Sequence, residues 1–178
     1  MNILSDDTFF INGFSALVSE HHAENFENPF LKNGDVDIVS FLGMTFEQIK
    51  RCLLNNTFQP KVAVFASERQ FRLVSNIRFC KLLYFIDSSV SMDFIEAFKF
   101  RSVEFDNSRE RIKLTLSERE VIMFLRKGRS ISFISSLLKK SPKTIYALKK
   151  NAMTKMGVSS DIELFTKMCL VERFNQYY

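Results

Sequence analysis

The chain has 178 residues, 46% of them hydrophobic and 25% charged, with a formal net charge of +5. That is enough apolar material for one compact domain or two small ones, and too much for a disordered chain. No run is long and apolar enough to span a membrane. The Met1–Asp7 start has neither the basic opening nor the apolar stretch of a signal peptide, so no membrane partner and a cytoplasmic location are expected.

In chain order, Ile3-Leu4 reads as the end of a short strand, and Phe9, Phe10, Phe14, Leu17 and Val18 recur at helical spacing. Residues 37–42 (Asp-Ile-Val-Ser-Phe-Leu) predict a strand, followed by a helix through Phe46, Ile49, Leu53 and Leu54. Pro60 opens a strand over Lys61–Phe65, and a short helix follows near Glu68–Ile77. Lys81–Ile86 predicts another strand and Met92–Phe100 another helix. Strands alternating with helices argue for a parallel sheet with both faces covered. The polar run after it, residues 104–113, reads as a linker between an N-terminal domain, 1–103, and a C-terminal one, 114–178.

Beyond the linker the periodicity is purely helical. Ser117-Glu118-Arg119-Glu120 reads as a capping box, in which Ser117 accepts from the Glu120 amide and the Glu120 carboxylate reaches back. The helix it starts carries Val121, Ile122, Phe124 and Leu125, and Gly128 supplies a left-handed stop. Ser130 starts a second helix with Phe133, Ile134, Leu137 and Leu138; Ser141-Pro142 opens a third, as cap and first helical residue. Ser160 to Glu163 reads as another capping box ahead of a fourth helix. Two short helices, a tight turn and a longer basic helix form a helix-turn-helix.

Charge divides the chain at the same place. Residues 1–108 hold 10 Lys+Arg against 14 Asp+Glu, whereas residues 109–178 hold 15 against 6. A mildly acidic module joined to a strongly basic one suits a sensor or dimerisation unit attached to a nucleic-acid binder. Cys52, Cys80 and Cys169 are widely spaced among apolar residues and read as buried reduced thiols. The adjacent His21-His22 lack the companions a metal site needs, so neither a metal nor a cofactor is expected. There is no Gly-rich phosphate loop, no HExxH and no nucleophile–base pair, so no enzyme is expected.

The stretch Leu116–Ile122, with Gly128, Ser130, Leu138, Ser141, Thr144-Ile145 and Lys155–Val158, resembles the LuxR-type (GerE or NarL-type) DNA-binding domain over about residues 114–172. Within that family, Ser141–Ile145, Lys149–Met153, Gly157-Val158 and Asp161–Leu164 look most like the Rcs capsule regulators and the enterobacterial fimbrial regulators. The resemblance implies an all-α four-helix domain whose third helix enters the major groove of double-stranded DNA. By position, Tyr146, Ala147 and Lys150 would face base edges, and Lys143, Thr144 and Lys149 would hold phosphates. The chain departs from the family at Tyr146 (often Lys), Leu148 (often His), Ser135 (often Ala) and Lys140 (usually apolar), which implies a different sequence preference or a lower affinity.

The N-terminal part resembles a response-regulator receiver, a flavodoxin-like parallel α/β sheet, in an atypical form. Asp6-Asp7 match the acidic pair, but Ser40–Gly43 offers no carboxylate where the phosphoacceptor belongs. Ala66 or Ser67 and Ile86 or Asp87 stand where a hydroxyl and a lysine are usual. The resemblance therefore implies a degenerate receiver that works without phosphorylation, in which Asp6-Asp7 are a turn or helix cap. Two readings of the whole stay open. One is a DNA-binding transcriptional regulator, homodimeric or paired with a related regulator, possible targets being fimbrial or other surface-structure genes. The other is a protein-interaction co-regulator that pairs with another LuxR-type protein and binds little DNA itself.

Overall fold

The computed structural model describes residues 2–23, 36–87, 103–106 and 112–174. The sheet domain runs β1 (Ile3–Leu4), α1 (Thr8–Ala23), β2 (Val36–Ser40), α2 (Phe46–Asn55), β3 (Lys61–Ala66), α3 (Glu68–Val74), β4 (Leu82–Asp87) and β5 (Val103–Asp106). The helical domain comprises α4 (Leu116–Arg126), α5 (Ile131–Leu138), α6 (Pro142–Lys155) and α7 (Asp161–Phe174). The strands lie in the order β1-β2-β3-β4-β5; the first four are parallel and β5 is antiparallel to β4. The expected parallel α/β sheet followed by a four-helix domain is thus present.

Alternation along the strands decides which helix covers which face. Val36 and Ile38 of β2, Ala63 and Phe65 of β3 and Ile86 of β4 pack with Phe14 of α1. Phe10 joins them, with its ring edge-on to Phe65 at 5.0 Å. Val39, Val62, Val64, Ala66 and Leu83 point the other way, into a cluster shared with Ile49 and Leu53 of α2 and Leu73 and Val74 of α3. All five residues of β2 are buried, as expected of a central parallel strand covered on both sides.

Asp37 is fully buried in that strand yet satisfied, since its carboxylate accepts the Asn2 amide at 3.0 Å and the Gln59 amide at 2.9 Å. Helices α2 and α3 begin on reciprocal Thr45–Gln48 and Ser67–Gln70 boxes. Asp7 caps α1, its carboxylate accepting the Phe9 and Phe10 amides at 2.8 and 3.3 Å, which matches the cap expected of the acidic pair.

Three expectations need correction. Val103–Asp106, which spans the start of the polar run read as a linker, is a strand; its apolar–polar alternation is that of a sheet edge, hidden in the sequence by Glu104 and Asp106. The end of that run is not a free tether either, because Ile112 is buried in the main cluster. The box opening α4 lies two residues earlier than read: Thr115 is the cap and Glu118 the reciprocal partner, so the carboxylate of Glu120 has no part in it. At α7, the Ser160 hydroxyl does accept the Glu163 amide at 3.3 Å, but the Glu163 carboxylate reaches Ser159 instead of Ser160. The helix expected over Met92–Phe100 lies outside the described residues.

The two domains share one core. Leu164, Met168, Leu170 and Val171 of α7 belong to the same buried cluster as α2, α3 and the sheet. Phe174 extends the contact with its ring 6.3 Å from that of Phe79. Polar groups reinforce it. Arg69 pairs with Glu163, and the Lys167 ammonium, with no exposed surface, donates to the Arg72 carbonyl. Burial raises the Glu163 carboxyl, but the Ser159 amide and hydroxyl and the Arg69 guanidinium outweigh it and hold it below the usual range. Burial disfavours the charged form of Lys167 and pushes it down to about 7.

Leu164→Ala should cost about 2–5 kcal/mol by leaving a cavity in a shared core. The loss is expected to appear in hydrogen exchange of β3 and α6 amides alike; protection lost in α6 alone would mean independently stable domains. Lys167 also predicts a pH dependence. Its proton is held up to about pH 10.5 in the unfolded chain but only to about 7 in the folded one. Between those values the unfolded state binds more protons, so stability rises with pH. Urea midpoints measured from pH 7 to 10 should show this rise in the parent and a flatter profile in Lys167→Met.

Candidate nucleic-acid interface

The helical domain closes around Val121, Ile134 and Ile145, one buried residue from each of α4, α5 and α6, flanked by Phe124, Leu125, Ile131, Leu138 and Leu148. Gly128, at φ +71°, ends α4 as expected. The turn into α6 is tight. Lys139 adopts a left-handed conformation at φ 50°, and the Lys140 amide donates back to the Ser135 carbonyl at 3.1 Å. The Ser135 hydroxyl donates to the Lys140 carbonyl, which gives this departure from the family pattern a role in holding the turn. Ser141 then caps α6, its hydroxyl accepting the Thr144 amide at 3.1 Å, with Pro142 in the first turn.

Glu118 fixes the other end of α6. It is buried, it accepts the Thr115 amide at 2.7 Å at the start of α4, and both its oxygens lie 2.8 Å from the Lys155 ammonium in the last turn of α6. Lys155 first, then the Thr115 amide, hold its carboxyl below the ordinary range against the opposing effect of burial. One carboxylate therefore caps α4 and anchors α6.

Each residue turns a helix by about 100°, so the buried Ile145, Ala152 and Met156 define the inner side of α6. Lys143, Thr144, Tyr146, Ala147 and Lys150 project away from it and are exposed, Tyr146 to 58%. Lys149 does not join them. It falls roughly 40° from Ile145 on the helical wheel, its side chain is only 16% exposed, and its ammonium lies 2.6 Å from a carboxylate oxygen of Asp161. Lys149, expected to hold a phosphate, is here engaged in an intramolecular ion pair. Leu148, another departure from the family, is half-buried in the small core and does not face outward.

Two features of this surface were missed in the sequence. From residue 121 to residue 160 there are nine Lys+Arg and no Asp or Glu, so α5 and α6 carry an excess of positive charge even with Lys149 and Lys155 paired to Asp161 and Glu118. Asn151, four residues beyond Ala147, shares its exposed side; helical spacing alone was the available signal. The surface of α5 adds Phe133, 46% exposed, with the Arg129 guanidinium 5.1 Å from its ring centre.

Residues 113–168 match the family model described as bacterial regulatory proteins, luxR family. The C-terminal domain is of the LuxR type. Among curated relatives, the chain is 48% identical over 60 residues to the uncharacterized protein YjjQ of Escherichia coli O157:H7, covering 34% of this chain and 25% of that protein. It is 47% identical over 51 residues to the transcriptional activator protein BglJ of E. coli K12, covering 29% and 23%. With the transcriptional regulatory protein UhpA of E. coli K12 the figures are 42% over 55 residues, 31% and 28%. The chain thus spans about a quarter of the length of the curated relatives it matches.

Among solved structures, one of two RcsB dimers bound to two parallel DNAs superposes with a TM-score of 0.54 at 20% identity, over 95% of this chain and 97% of that one. RcsB from Salmonella enterica serovar Typhimurium, bound to promoter rprA in the presence of a phosphomimetic, gives 0.54 at 19% identity, over 95% and 97%. At that identity the likeness is one of fold, in which a receiver-like sheet domain precedes a LuxR-type helical domain.

Because Glu118 both caps α4 and binds Lys155, Glu118→Ala should destabilise the chain by about 1–3 kcal/mol. Glu120→Ala, at an exposed position outside the box, should stay within about 0.5 kcal/mol. Chemical denaturation of the two variants distinguishes this register from the one first read in the sequence, which expects the opposite ranking.

Proposed function

We propose that this chain is a DNA-binding transcriptional regulator that inserts α6 into the major groove and acts without phosphorylation. One observation carries the reading: the outward side of α6 is exposed and basic while the sheet domain docks on α7, so the recognition surface is open with the domains packed together. Lys143 and the α6 N-terminus are suited to phosphates, and Tyr146, Ala147 and Lys150 to base edges. A lysine reaching guanine O6 or N7 and an alanine against a thymine methyl would give sequence preference.

Independence from phosphorylation rests on the residues at the carboxyl ends of β1 and β2. Where an acceptor carboxylate belongs, at the end of β2, the chain has the buried Ser40 and Phe41. Asp7 is engaged in capping α1, and Asp6 accepts from the Gln48 amide group at 3.4 Å. No carboxylate is left at the acceptor position to form an acyl phosphate, so control would come from abundance or from a partner. One of the RcsB structures holds two dimers bound to two parallel DNAs, and a dimer reading two half-sites suits this chain as well. The resemblance to capsule and fimbrial regulators extends the reading to genes for bacterial surface structures.

A second reading has one observation in its favour. Tyr146 puts a large exposed aromatic ring in the middle of the recognition surface, where it could pack against a related LuxR-type regulator. A gel-shift titration of the purified chain separates the two. Salt-sensitive, sequence-selective binding by the chain alone supports the first, and a shift only when a related regulator is added supports the second. Acetyl phosphate is expected to leave no phosphate on the protein and no change in affinity.

On a selective duplex, Lys150→Ala should reduce discrimination between sites by roughly 1–3 kcal/mol. Lys143→Ala should weaken all duplexes alike and lower the salt slope by about 0.9. Lys149→Ala should change binding far less than either, because its charge is already paired with Asp161. Equal losses for all three would refute the orientation of α6 described above.

A further inference from the structure

The outward side of α6 is not uniform. Thr144, Ala147, Asn151 and Thr154 follow one another at intervals of three and four residues and form a shallow row along the helix. The ammonium groups of Lys143 and Lys150 border the row on one side. Small side chains let a helix backbone come close to whatever it lies against, and here all four are exposed.

The polar groups of the row are not equally available. The Thr144 hydroxyl shares a hydrogen bond with Ser141 at 2.9 Å, and the Thr154 hydroxyl donates to the Lys150 carbonyl at 3.1 Å. Ala147 has no polar atom. Asn151 is exposed, and its side chain makes none of the hydrogen bonds that occupy the two threonines. Its amide carries two donors and one acceptor, which match the N6 donor and N7 acceptor that only adenine presents side by side in the major groove. Ala147, one turn earlier on the same row, supplies a methyl contact of the kind a thymine methyl accepts.

We infer that Asn151 is a specificity-determining residue that reads an adenine in the major groove, with Ala147 contacting a thymine methyl beside it, so that the site this chain selects contains an A·T step under the middle of α6. The inference rests on the proposed DNA-binding function and adds to it the base that one side chain recognises. It is distinct from the roles of Lys143 and Lys150, which depend on charge.

The test is selection of preferred duplexes from a randomised pool with the full chain, followed by fluorescence anisotropy on the winning site and its single-pair variants. The parent is expected to prefer A·T at one position by roughly 5- to 150-fold, and Asn151→Ala to lose that preference while the other positions keep theirs. Asn151 is exposed on a helix, so the alanine variant retains the fold, which its circular dichroism and denaturation midpoint would verify. A uniform loss of affinity for every duplex would make Asn151 a phosphate contact and overturn the inference. So would an unchanged selection profile. If the parent itself binds no duplex, the proposed function falls along with it; if the parent binds selectively and only the Asn151 result fails, the function stands without this residue.

Discussion

The packing of α7 against α2 and α3 is the contact on which the rest of the structure depends. A four-helix domain of this size encloses only a small core of its own, here Val121, Ile134 and Ile145 with their half-buried neighbours. Leu164, Met168, Leu170 and Val171 of α7 tie it to a larger buried cluster that continues into α2, α3 and the sheet. At about 1.5–3 kcal/mol for each large apolar side chain removed from water, these contacts compare with the whole stability of a small domain. The orientation of α6 follows from the burial of Ile145, Ala152 and Met156, and the pair between Lys149 and Asp161 of α7 lies close to that inner side.

Buried polar groups sharpen this arrangement. Asp37, Glu118, Glu163 and Lys167 are all removed from solvent, and each meets donors or acceptors from a different element. Asp37 ties the chain start and the loop after α2 to β2. Glu118 joins α4 to α6, and Glu163 and Lys167 join α7 to α3. An apolar core tolerates slippage, whereas a misplaced buried charge is costly, so such links fix one arrangement among many compact ones.

Much of this was legible in the sequence. The strands at Ile3, Val36, Lys61 and Leu82 and the helices between them announced themselves through periodicity, and the helical domain through its caps and Gly128. The failures have physical causes. Thr115 and Ser117 both stand three residues before a glutamate, and the Thr115–Glu118 register is the one in which the buried carboxylate also meets Lys155. β5 carries as many charges as apolar residues and owes its strand conformation to pairing with β4, which lies some twenty residues earlier in the chain. Lys149 reads as a solvated lysine until a helix twelve residues downstream brings Asp161 beside it. The face of α6 could be inferred from helical spacing; which of its charges are free could not, since that depends on tertiary partners.

The two borders of the sheet differ in their capacity to grow. On one side β5 runs against the direction of its neighbours and ends the parallel series. On the other, β1 is a strand of only two residues. Such a stub offers too few main-chain groups in a row to template a further strand, which is how natural sheets avoid sticking edge to edge. Along the β1 border, association with a copy or a relative is therefore left to side-chain surfaces, where shape and charge can discriminate among partners in a way that a bare row of amides and carbonyls does not.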